Sequence, residues 1–115
     1  MADDETAAAL DRLFAVIEAR KSADPGSSYT AQLLAGGTRA ITAKITEEAT
    51  ETVAAALGEG PEALTRESAD LLYHLCVLWA DGGIRPEDVW AELARREGMS
   101  GPAEKASRKT DGSEE

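Results

Sequence analysis

The sequence predicts an all-α fold: a small bundle of antiparallel helices that pairs with a second copy. Three observations carry this expectation. Apolar residues recur at helical spacing in successive segments, Gly and Pro punctuate the gaps between them, and much of the apolar content is alanine. Hydrophobic residues make up 43% of the chain but aromatic ones only 4%, a balance that favours close-packed helices over a sheet with bulky fillings. At 115 residues the chain is one domain. A core that small is limited on its own, which is the reason to expect dimerisation.

Over residues 6–20, Leu10, Leu13, Phe14 and Ile17 fall at i, i+3, i+4 and i+7, one face of a helix. Asp24-Pro25-Gly26-Ser27-Ser28 marks the loop that follows. A short helix is expected over 30–35, ended by Gly36-Gly37. A long helix then runs over 38–57 on the stripe Ile41, Ile45, Ala49, Val53, Ala56 and Leu57, and Gly58-Glu59-Gly60-Pro61 breaks it. The helix over 62–81 is apolar almost all round from Ala69 to Ala80, which places it at the centre of the bundle.

Gly82-Gly83 ends that helix, and Pro86 suits the first turn of another over 86–97, packed through Val89, Trp90 and Leu93. Glu87 and Asp88 lie at its positive end and Arg95-Arg96 at its negative end. Arg85 stands where an oxygen-bearing cap is preferred, so this start should be weaker by about 1 kcal/mol. Residues 98–115 hold little to bury and read as a disordered polar tail, with residues 1–5 frayed. The folded unit is therefore 6–97.

The net charge of −10 and a pI near 4.5 argue against general nucleic-acid binding, which needs a basic stripe. Residues 9–97 hold fifteen acids and nine bases, so the excess is partly local. A negative protein that handles a negative substrate needs a cation between them. One cysteine, Cys76, and one histidine, His74, leave no disulfide framework or zinc-finger spacing within the chain. No apolar run approaches the roughly 18 residues of a membrane span, and no leader pattern opens the chain. A soluble, cytoplasmic protein is expected, with a lone thiol that suits a reducing compartment.

The acids themselves are patterned. At 100° per residue, Glu47, Glu48 and Glu51 share roughly a 100° arc, with Lys44 one turn earlier. Glu67 and Asp70 share a face of the next helix, and a tight Gly-Pro turn makes the two helices antiparallel neighbours. Like charges at i, i+4 destabilise a bare helix, and carboxylates at the entrance of an apolar one are costly unpaired. A hard cation such as Mg²⁺ removes both objections. The pattern E-E-x-x-E, then E-x-x-D sixteen residues later, is thus an oxygen-only metal site with no Cys or His cluster competing for it. The competing description is a solvated acidic face, with Lys44 paired to Glu48.

Lys44-Ile45-Thr46-Glu47-Glu48-Ala49-Thr50-Glu51, followed by Glu67-Ser68-Ala69-Asp70-Leu71-Leu72-Tyr73-His74, closely resembles the phosphoribosyl-ATP pyrophosphatase family of the all-α, MazG-like NTP pyrophosphohydrolases. Gly26-Ser27-Ser28-Tyr29-Thr30, Leu33-Leu34…Gly37 and Gly83-Ile84-Arg85-Pro86-Glu87-Asp88-Val89 extend the resemblance over about 9–97. Thr38-Arg39-Ala40 and Thr46 depart from the family's usual pattern, none of them at an acidic position. The resemblance implies hydrolysis of phosphoribosyl-ATP to phosphoribosyl-AMP and pyrophosphate, the second step of histidine biosynthesis, by a Mg²⁺-dependent, cytoplasmic homodimer.

It also implies roles. Glu47, Glu48, Glu51 and Asp70 are the expected Mg²⁺ ligands, and Glu48, Glu51 and Glu67 the catalytic acids, Glu67 as ligand or water-orienting base. Lys44, Tyr29, Thr30 and Arg20 are expected to meet the substrate, although isolated bases such as Arg20 are usually just solvated. His74 could touch the site from behind; a satisfied core histidine is the commoner case. Cys76, Trp79 and Trp90 read as packing. With one Cys, one His and no second domain, the chain is expected to be monofunctional, with no fused cyclohydrolase. The rival expectations are a house-cleaning pyrophosphohydrolase of the same superfamily and a non-enzymatic helical dimerisation module.

Overall fold

The structure, a computed structural model, describes residues 7–111, with side chains to residue 108. The expected fraying of residues 1–5 lies outside the described residues. Among the described residues every regular element is helical, as the composition predicts. Helix α1 spans Ala8–Ala19, and two 3-10 turns follow at Arg20–Ser22 and Pro25–Ser27. Then come α2 (Tyr29–Gly58), α3 (Pro61–Gly82), α4 (Pro86–Arg95) and α5 (Gly101–Asp111).

The expected break after residue 35 is present as a kink. Helix α2 is two helical stretches joined at Gly37, whose φ of 83° and ψ of −174° are non-helical. That conformation is essentially restricted to glycine. The eight residues before it form a separate arm, started by Ser28, whose hydroxyl accepts the Ala31 N–H at 3.2 Å.

Helices α2 and α3 form the principal antiparallel pair, joined by Glu59 and Gly60 alone, and α1 packs against α3. Phe14, Ile17, Leu33, Ile41, Cys76, Val77 and Ala80 make the core, with Ile41, Cys76 and Val77 fully buried. Trp79 meets Trp90 edge to face, centroids 6.2 Å apart, which fastens α4. Thr38 donates to Asp81 Oδ2 at 2.6 Å, a polar tie between α2 and α3.

Helix α3 is less enclosed than its all-round apolar character predicts. Neighbours cover two of its sides, and Leu72 remains exposed beside Leu10, Leu13 and Ala69. Val53 and Leu57 on α2 also face solvent.

The C-terminal third holds one confirmation and one correction. Arg85 offers no side-chain cap to α4, as expected, although the Asp88 carboxylate accepts the Arg85 N–H at 2.9 Å, the return half of a capping box. The tail over 98–115 is not polar coil throughout, because residues 101–111 are helical; residues 112–115 lie outside the described residues. Glu104 on α5 is buried against Arg95 at 2.7 Å, Arg108 at 2.9 Å and Arg96 at 3.6 Å. A buried carboxylate is tolerable when guanidinium groups surround it. That bonding leaves no trace in apolar periodicity.

Candidate active site

The geometry of the α2–α3 pair brings acids of both helices together. Glu48, Glu67 and Asp70 each offer a carboxylate oxygen within 4.8 Å of the others. Glu48 faces α3 and is buried at 7% exposure, whereas Glu47 and Glu51 are exposed. A helix turns 100° per residue, so neighbours in sequence separate sharply at a packed face. Glu51 stays close enough for its charge to bear on Glu67 and Glu48. Glu47 does not join the group of three; its carboxylate pairs with Lys44 at 3.1 Å.

The cluster is under electrostatic load. Burial pushes the Glu48 carboxyl above its ordinary value, the negative charges of Glu51 and Asp70 add to this, and His74 and Lys44 oppose it. Burial likewise raises Glu67, followed by the charges of Glu51, Asp70 and Glu48. One buried oxygen on Glu48 and one on Glu67 have no hydrogen-bond partner. Unpaired buried carboxylate oxygens are costly. Three converging acids with two orphaned oxygens fit a hard, oxygen-seeking dication.

Thr52 braces the pair from below. Its hydroxyl donates to the Glu48 carbonyl at 2.8 Å and lies 3.3 Å from the Glu67 carbonyl, bridging the backbones that carry two of the acids. No spacing rule singles Thr52 out, because the cross-helix contact depends on how α2 is rotated against α3.

Lys44 sits between Glu47 at 3.1 Å and Glu48 at 3.8 Å. The hydrogen bond to Glu47 is the main reason its ammonium titrates above the ordinary lysine value. The expected i+4 pair with Glu48 is therefore present, and the i+3 pair is tighter.

Tyr29 and Thr30 come to the site from the arm ahead of the kink. The Tyr29 hydroxyl is 3.0 Å from His74 Nε2, and the Thr30 hydroxyl bonds the Tyr73 hydroxyl. Burial raises the Tyr29 phenol; Lys44 opposes that, while Tyr73, Glu48 and Glu47 reinforce it. Through His74, whose Nδ1 lies 2.8 Å from the Asp70 carbonyl oxygen, Tyr29 is tied to the helix turn that carries one of the acids. Arg20 does not reach it: the residue is exposed in the 3-10 turn after α1, and among the described residues no hydrogen bond or ion pair joins it to the acids.

Concave surface lies elsewhere too. A cleft of about 480 Å³ opens between α1 and Arg85-Pro86-Glu87, and one of about 410 Å³ between the 3-10 turns and the Ala80–Asp81 end of α3. Neither is lined by the acids. The buried, orphaned oxygens carry more chemical information than concavity does.

The family profile described as Phosphoribosyl-ATP pyrophosphohydrolase matches residues 10–97. A phosphoribosyl-ATP pyrophosphatase of Azospirillum brasilense is 57% identical over 111 residues, covering 96% of this chain and the whole of that protein. One from Paramagnetospirillum magneticum is 60% identical over 99 residues, covering 86% of this chain and 91% of its own length. One from Parvibaculum lavamentivorans is 59% identical over 102 residues, covering 89% and 94%.

Proposed function

The chain belongs to the phosphoribosyl-ATP pyrophosphohydrolase family, and we propose that its reaction is carried out at the α2–α3 acidic cluster. That reaction hydrolyses phosphoribosyl-ATP to phosphoribosyl-AMP and pyrophosphate, the second step of histidine biosynthesis. The single observation that carries the assignment to this cluster is the pair of buried, partnerless oxygens on Glu48 and Glu67.

Glu48, Glu51 and Asp70 would hold Mg²⁺, with Glu67 beside them; Glu47 joins only by leaving Lys44. The ion, when bound, neutralises phosphate charge and lets an anionic substrate approach an acidic protein. The chain's own part is positioning and proton handling. Water adds to phosphorus at the α–β bridge, the bridging P–O bond breaks, and pyrophosphate departs. Glu67, whose carboxyl burial and neighbouring acids hold above its ordinary value, takes the water's proton as general base. Lys44, freed from Glu47, contacts phosphate oxygens. Tyr29 and Thr30 hold the ribose or base side, and Arg20 would contribute only at the substrate's periphery.

We infer a cytoplasmic homodimer. No helix of the described residues is long and apolar enough to cross a membrane. Exposed Leu72, Val53 and Leu57 supply apolar surface for a second copy.

The test is pyrophosphate release from phosphoribosyl-ATP, with and without Mg²⁺, against dUTP and dCTP. Release only from phosphoribosyl-ATP and only with Mg²⁺ is expected. Equal or faster cleavage of dUTP or dCTP would transfer the chain to a house-cleaning role, and no release from any nucleotide would reduce it to a helical dimerisation module. Glu48→Gln should abolish release while circular dichroism stays helical; full activity in that variant would remove the cluster from the reaction.

A further inference from the structure

His74 is buried at 5% exposure, and both of its ring nitrogens are engaged. Nδ1 lies 2.8 Å from the Asp70 carbonyl oxygen. A carbonyl only accepts, so Nδ1 carries the proton. In the neutral ring Nε2 is then an acceptor, and the Tyr29 hydroxyl donates to it at 3.0 Å. Next to this bond Thr30 meets Tyr73. Two consecutive residues of the α2 arm are thereby tied to two consecutive residues of α3.

The rings reinforce the tie. Tyr29 stacks on Tyr73 with centroids 6.4 Å apart, and Tyr73 meets His74 edge to face at 4.9 Å. The arm needs such fastening: eight residues are too few to hold a helix unaided, and the kink at Gly37 separates them from the rest of α2. Tyr29 nonetheless remains 49% exposed. Its hydroxyl is fixed on His74, whose other nitrogen is bonded to the backbone of Asp70, while much of its ring stays open to solvent.

We propose that His74 is a positioning residue for substrate: by accepting a hydrogen bond from the Tyr29 hydroxyl it holds Tyr29 at the rim of the acidic cluster, so that it governs KM and leaves the chemical step alone. The inference rests on the substrate reading above. It assigns the chain's one histidine to substrate positioning, with neither proton transfer nor metal ligation in its role.

The two ring nitrogens can be separated by substitution. In His74→Asn the amide nitrogen stands in for Nδ1 and keeps the Asp70 carbonyl bond but no longer reaches Tyr29. In His74→Gln the longer side chain offers an oxygen near the position of Nε2. We expect His74→Asn and Tyr29→Phe each to raise KM about fivefold, the effect of one neutral hydrogen bond, with kcat within about twofold. The double variant should be no worse than the worse single, since both remove one bond, and His74→Gln should recover most of the KM. An unchanged KM in His74→Asn, additive losses in the double variant, or equal losses in kcat and KM would each overturn the proposal.

An activity-free arm distinguishes this failure from failure of the substrate reading. With a single histidine in the chain, ¹⁵N spectra of the full-length protein hold one pair of ring signals. They should report the Nδ1–H tautomer, and the Nε2 signal should shift in Tyr29→Phe. A protein that releases no pyrophosphate yet shows that shift refutes the substrate and keeps the latch. A signal indifferent to Tyr29→Phe refutes the latch whatever the activity.

Discussion

Gly37 and Gly58 lie in the same helix, and adding a methyl group to each should change stability in opposite directions. A Cβ built at either position meets no atom within 4 Å, so crowding cannot distinguish them. Backbone conformation does. Gly37 holds φ 83° and ψ −174°, in a region where a non-glycine residue costs of order 1–3 kcal/mol. Alanine recovers about 0.4–1 kcal/mol by restricting the unfolded chain, which leaves Gly37→Ala destabilised by about 1–2 kcal/mol. Gly58 is the last helical residue, without positive φ, and Gly58→Ala should gain up to about 1 kcal/mol. For a domain of this size 1 kcal/mol moves Tm by roughly 4–8 °C. Melting followed by circular dichroism, at one protein concentration because association shifts Tm, should place Gly37→Ala about 5–15 °C below the parent and Gly58→Ala above it by up to about 8 °C. The kink also aims Tyr29, so Gly37→Ala should raise KM for phosphoribosyl-ATP. A Gly37→Ala protein as stable as the parent would show that the kink is not what the arm's geometry depends on.

Three further outcomes follow from the site and its surroundings. Glu48 and Glu67 titrate above their ordinary values, so their contribution to metal-free stability is greatest at low pH and lost as pH rises through the raised pKa values. Mg²⁺ needs the ionised forms; its stabilisation, about 2.7 kcal/mol at a hundredfold excess over Kd, should be larger at pH 8 than at pH 5, and a gain in Tm that ignores pH would contradict this. Cys76, buried with its thiol pushed up to about 11, should resist alkylation of the native protein at pH 8 and react only on unfolding, which a thiol-reactive dye measures directly. Glu104→Gln should loosen α5 from α4 by about 1–2 kcal/mol, a buried-pair loss discounted for arginines that are part exposed; limited proteolysis should cut residues 98–111 faster while pyrophosphate release is unchanged.

The helices are legible in the sequence because each one announces itself locally. Leu10, Leu13, Phe14 and Ile17 mark α1, and Gly36-Gly37 marks the kink. What escaped depends on rotations between helices. Glu47, Glu48 and Glu51 share an arc broad enough that any of them could face α3, and only packing selects Glu48 for burial and leaves Glu47 on Lys44. The Tyr29–His74, Thr30–Tyr73 and Thr38–Asp81 contacts join residues 43–45 positions apart, a separation no periodicity encodes. The docking of α5 is hidden differently: its fastening is a carboxylate among arginines, and burial of that kind leaves no apolar pattern in the sequence.

The partnerless oxygens of Glu48 and Glu67 have a consequence for anyone breeding sturdier versions of this protein. A heat-tolerance screen run in chelating buffer rewards whatever relieves the repulsion between these acids, and Gln at position 48 or 67 does so in one substitution. With the cluster as the proposed reaction site, such a screen would enrich inert proteins and report them as improvements. If the cluster holds magnesium as proposed, selection in millimolar magnesium reverses the incentive, because the same acids then bind the ion that stabilises the fold.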